Sequence, residues 1–91
     1  GGLAGDGTDD GAGNVALGYA ALSGNCGNNN TAVGLLAGQI CTGTSNTVIG
    51  AGSGAGLTSG VQNTFIGSDA GEAISSGDLN IMVGYNIENN S

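Results

Sequence analysis

Apolar residues fall along this chain in short bursts at a fixed interval rather than in helical stripes or long strand runs. Each burst follows an asparagine and ends on a glycine: Asn14-Val15-Ala16-Leu17-Gly18, Asn30-Thr31-Ala32-Val33-Gly34, Asn46-Thr47-Val48-Ile49-Gly50, Asn63-Thr64-Phe65-Ile66-Gly67 and Asn80-Ile81-Met82-Val83-Gly84. The asparagines are 16, 16, 17 and 17 residues apart. A second glycine column, Gly11, Gly27, Gly43, Gly60 and Gly77, keeps step three residues ahead of them. A repeat at such a period predicts stacked coils, each contributing one rung to a shared core.

Within a rung the alternation of strand side chains puts the residues one and three after the asparagine on one side and the residue between them on the other. Both sides carry apolar columns, which predicts burial on both. One column can fill the inside of a solenoid, and the other calls for a partner. Val48, Phe65 and Met82 are the largest residues of the middle column and are the expected inter-chain face. The glycine closing each strand (Gly18, Gly34, Gly50, Gly67, Gly84) predicts a corner where a side chain is excluded. Beyond it a shorter arm carries Ala21, Ala37, Ser53, Ala70 and Ile87, with Ile40, Leu57 and Ile74 ahead of the next glycine column in three rungs. Two short β arms per coil predict a thin, flattened rod, roughly 24 Å long for five rungs at about 4.8 Å each. The asparagine column predicts side chains stacked and hydrogen-bonded along the axis, in a residue type that also tolerates left-handed turns. Thr31, Thr47 and Thr64 form a further ladder. An ice-binding or carbohydrate-facing strip is one reading of it, and plain β-branched filling of strand positions is the reading that Val15 and Ile81 in the same column favour.

Composition changes the picture in one respect. With 21 glycines, no proline and only three aromatic residues, 91 residues make a marginal isolated globule. Stability is expected from backbone ladders between rungs and from burial against neighbouring chains. The net charge of −7 comes from seven acids with no Lys, Arg or His. Nucleic acid and anionic membranes, which need basic groups, are disfavoured as partners. No apolar run is long enough to span a membrane. The chain opens on Gly1 without an initiator methionine and reads as a processed chain or a segment of a longer one.

Residues 1–12 form an acidic, glycine-rich cap, linker or degenerate rung, and 13–91 the solenoid region. Asp6, Thr8 and Asp10 alternate like the start of a calcium loop, but Leu17 stands where the closing carboxylate belongs. A solvated acidic turn is the competing reading, so calcium is the one cofactor entertained. Cys26 and Cys41 are 15 residues apart, one short of the period, which puts them on adjacent rungs. A rung-to-rung disulfide in an oxidising setting and two buried thiols both remain open. Catalysis finds little support: no Ser or Cys has a basic partner, and Asp69, Glu72 and Asp78 read as solvated turn acids rather than a carboxylate pair for glycoside hydrolysis. The expectation is a non-enzyme.

The phrase Asn-Thr-x-Ile-Gly, followed by Ala37-Gly38 or Ala70-Gly71 and then by Thr42-Gly43, Ser59-Gly60 or Ser76-Gly77, resembles the repeats of phage tail fibres and, more distantly, the head repeats of trimeric autotransporter adhesins. The resemblance covers about residues 11–88. It implies a parallel β-roll, left-handed by analogy, with three chains side by side, in an extracellular fibre that attaches to a receptor or glycan on a host or surface. The unit here is two to three residues longer than the adhesin repeat and lacks basic residues. The alternative is a short subunit stacking end to end into a cell-surface filament, and an ice-binding or calcium-dependent module comes third.

Overall fold

The structure, a computed structural model, describes residues 12–24 and 26–87. Five strands of three residues each, β1 (Val15–Leu17), β2 (Thr31–Val33), β3 (Thr47–Ile49), β4 (Thr64–Ile66) and β5 (Ile81–Val83), form one parallel sheet in the order of the chain. The protein is an all-β solenoid of about four turns, with no helix among the described residues. Strand pairing is in register with the repeat: Thr31 lies beside Thr47, Thr47 beside Thr64, and Val48 beside Phe65. The period of 16 or 17 residues is therefore the length of one coil.

Each strand stops at a corner glycine with φ between 124° and 137°. A Cβ on Gly18, Gly34 or Gly50 would lie 2.6 Å from the carbonyl carbon of the corner glycine in the next coil. Left-handed backbone and close stacking thus exclude a side chain there for two separate reasons.

The return arm differs from the second β arm that the sequence suggested. After Gly34 the chain bonds to itself, the Ala37 N–H donating to the Gly34 carbonyl at 3.2 Å and the Gln39 N–H to that of Leu36 at 3.2 Å. Leu36 and Gly38, third residues of these two turns, have φ of 62° and 57°, the type II pattern. The same series recurs after Gly50 and Gly67. A residue with positive φ cannot continue a strand, so the arm folds into linked turns. Ala20, Leu36 and Asp69 each adopt this conformation without being glycine, at about 1–2 kcal/mol apiece. Bonds to the preceding coil hold them: the Leu36 N–H donates to the Tyr19 carbonyl at 2.9 Å and the Asp69 N–H to the Ala51 carbonyl at 2.9 Å.

The core lies between strand and return arm. It contains the strand-centre residues Ala32, Val48, Phe65 and Met82, with Ala21, Leu22, Ala37, Leu57 and Ala70 opposite. This corrects the expected inter-chain face: Val48, Phe65 and Met82 are 1%, 0% and 5% exposed and fill their own coil. The alternation was sound, but the arm closes over the strand-centre side. That arm is built of small residues and leaves the room that a large middle residue occupies. The fit is reciprocal. A Cβ on Gly71 would meet the Phe65 ring at 2.5 to 2.6 Å, and one on Gly54 would meet Val48 Cγ1 at 2.7 Å. At the corresponding place in the first coil stands Leu22, over Ala16 and Ala32 instead of Val and Phe.

Candidate functional site

Because the middle column is internal, the outward face of the sheet consists of Val15 and Leu17, Thr31 and Val33, Thr47 and Ile49, Thr64 and Ile66, and Ile81 and Val83. Exposure is 55% and 60% at Val15 and Leu17 and 78% and 65% at Ile81 and Val83, while β2 and β3 are half-buried on this side. Tyr19 and Leu35, first residues past the corner, extend the apolar surface. No position of this face is charged. It is the uncovered counterpart of the core, a stripe of β-branched side chains running across all five strands.

Behind it runs the asparagine ladder. The backbone N–H of Asn30 donates to Asn14 Oδ1 at 2.8 Å, that of Asn46 to Asn30 Oδ1 at 2.9 Å, that of Asn63 to Asn46 Oδ1 at 2.9 Å, and that of Asn80 to Asn63 Oδ1 at 3.0 Å. Each Nδ2 reaches the second glycine column of the next coil: Asn14 donates to the Gly27 carbonyl, Asn30 to Gly43, Asn46 to Gly60 and Asn63 to Gly77, at 2.7 to 2.9 Å. Asn30, Asn46 and Asn63 are at most 1% exposed. Their amides are satisfied on both sides, and among the described residues no buried side-chain nitrogen or oxygen lacks a partner. The left-handed residue here is not the asparagine itself but the one before it, as at Asn29, Ser45, Gln62 and Leu79.

Three further staples carry no obvious mark in the sequence. Asn28 and Asp78, each directly after a glycine of the second column, accept at Oδ1 from the N–H of Ala12 and of Val61 in the preceding coil, both at 2.9 Å. Buried Ser53, the one hydroxyl in a column of alanines, donates from Oγ to the Phe65 carbonyl at 2.9 Å. The position after a recurring glycine and the polar exception in an apolar column were the available signals.

Both cysteines are buried free thiols. Cys41 Sγ accepts from Asn46 Nδ2 at 3.4 Å, and burial pushes both thiols above the usual range. The acids stay apart in function: Asp78 serves as a staple, Glu72 is exposed, and Asp69 lies over Gly52 in the turn series. Among the described residues no three acidic or thiol side chains are placed to hold a metal ion. Asp6, Thr8 and Asp10, the calcium-loop candidates, lie outside the described residues, as does nearly all of the 1–12 segment. No protein-family model, curated protein or solved structure matches the chain.

Proposed function

We propose that this chain is a structural module of an extracellular fibre, of the phage tail-fibre or adhesin kind. It is a short stiff rod that supports attachment to a host or surface and associates with further copies of itself. The observation that carries this reading is the outward sheet face, uncharged and apolar over all five strands. An isolated rod would leave that surface in water, and copies packed side by side, three in the arrangement the repeat resemblance implies, would cover it. Rigidity comes from the asparagine ladder and the in-register sheet, in which each coil is bonded to both neighbours. The role is mechanical rather than catalytic, and the seven acids keep such rods soluble.

The reading is tested by the mass of the 91-residue chain in sedimentation, with electron microscopy of the same sample. A discrete species of three chains is expected, and Ile49→Lys on the outward face should dissociate it to folded monomers. Filaments of indefinite length would instead support end-to-end stacking. The exposure of Ile81, Val83 and Tyr85 on the last described coil, at 78%, 65% and 75%, favours that second reading. A folded monomer at all concentrations would sink both.

A further inference from the structure

Cys26 and Cys41 both enter the core cluster, 2% and 1% exposed, from the return segments of consecutive coils. The two segments run side by side at this level. The Gly24 N–H donates to the Gln39 carbonyl at 2.6 Å, and a Cβ on Gly27 would meet the Gly43 carbonyl oxygen at 2.6 Å and that of Thr42 at 3.0 Å. Cys26 is thus the neighbour of Thr42 by register, and Cys41 sits one residue back. Coils about 4.8 Å apart with an offset of about 3.3 Å along the chain give a Cα separation near ~5.8 Å, inside the disulfide window of roughly 4.4–6.8 Å. Both side chains point to the same interior.

We infer that Cys26 and Cys41 are a latent cross-link between the first and second coils, closed by exchange with a small disulfide such as oxidised glutathione. One cysteine thiolate attacks a sulfur of the small disulfide, forming a mixed disulfide and releasing one small thiolate. The other cysteine thiolate then attacks the protein-side sulfur of that bond and releases the second small thiolate. Two protein thiols are oxidised, the reagent disulfide is reduced, and the two cysteine protons end on the two small thiols. The link ties together the part of the core whose strand centres are alanines, Ala16 and Ala32. Attack requires a thiolate and access, and burial denies both, so exchange proceeds when the return segment opens or while the chain folds. The cross-link then records whether the rod was folded in an oxidising or a reducing compartment.

The test is to refold the full chain in oxidised and in reduced glutathione, trap free thiols by alkylation, and compare intact mass and Tm. Expected after the oxidising buffer are a monomeric chain lighter by two hydrogens, no alkylation, and a Tm higher by roughly 10 °C than the reduced chain. Native chain should oxidise far more slowly than chain in urea. A Cys26→Ala/Cys41→Ala double variant should show the same Tm in both buffers; if it does not fold, the oxidised and reduced wild-type chains supply the comparison alone. Two persistent free thiols after refolding, glutathione adducts, chain-to-chain disulfides, or an internal disulfide without a rise in Tm would each overturn the inference.

Discussion

In the first two coils the strand centres are Ala16 and Ala32, and the bulk over them comes from Leu22 in the return arm. In the third and fourth coils the strand centres are Val48 and Phe65, and the matching arm positions are Gly54 and Gly71. Backbone, register and turn geometry are the same in both halves. What is kept constant is the volume of a coil, while the share supplied by each column is exchanged between them. A side chain in this core is therefore specified by the residue across from it more than by its place in the repeat, as expected of a close-packed interior.

The largest effect should come from emptying either solution of its large residue. Phe65→Ala is expected to cost about 3–5 kcal/mol and Leu22→Ala about 2–5 kcal/mol in urea unfolding, because Gly71 and Ala32 opposite them cannot close the space. If either variant loses less than about 1 kcal/mol, the volume exchange is not what holds that half together. Next comes the ladder shared by both halves. Asn46→Ala leaves the Asn63 N–H and the Gly60 carbonyl without their buried partner, at about 1–3 kcal/mol each. Asn14→Ala, at a half-buried position, should cost visibly less, and equal losses would show that burial does not set the ladder's strength.

A finer contrast comes from the glycines. Gly71→Ala drives a methyl into the Phe65 ring and should cost about 1–3 kcal/mol beyond the backbone penalty. Gly38→Ala meets Val48 Cγ2 and Leu22 Cδ2 only at 3.1 and 3.2 Å and should cost mainly the left-handed backbone term of about 1–2 kcal/mol. Combining Gly71→Ala with Phe65→Leu should recover part of the loss, and strict additivity would refute the coupling of the two columns. The smallest effect is expected at the outward face of an isolated chain. Ile66→Thr should change monomer stability by no more than about 0.5 kcal/mol, so a larger loss would indicate that the assembled form was being measured.

The repeat, its register and the positions of Asn46 and Gly50 were legible because each needs one chemistry in every coil: an amide that can both donate and accept, and a residue without a side chain. The face of the sheet that lies inside was not, since Thr47 and Ile49 on one side and Val48 on the other are all credible core residues. Gly38, Gly54 and Gly71 held the missing information. Three glycines in one column of the arm mark a space that only a large strand-centre residue can fill. The linked turns were hidden for a different reason. Leu36 and Asp69 have no intrinsic leaning toward a left-handed backbone, and they take it because bonds from Tyr19 and Ala51 in the coil before hold them there. Only Gly52, in the same column, carries the conformation in its residue type.

The ladder of asparagines also gives the rod a direction. Every carboxamide oxygen is offered to the backbone N–H of the coil that follows, and never to the one before. A coil presented upside down would set oxygen against oxygen and donor against donor. Growth along this axis is therefore vectorial: any coil that extends the stack must arrive with the same heading. A fibre assembled on this principle has a leading and a trailing end written into each of its amides.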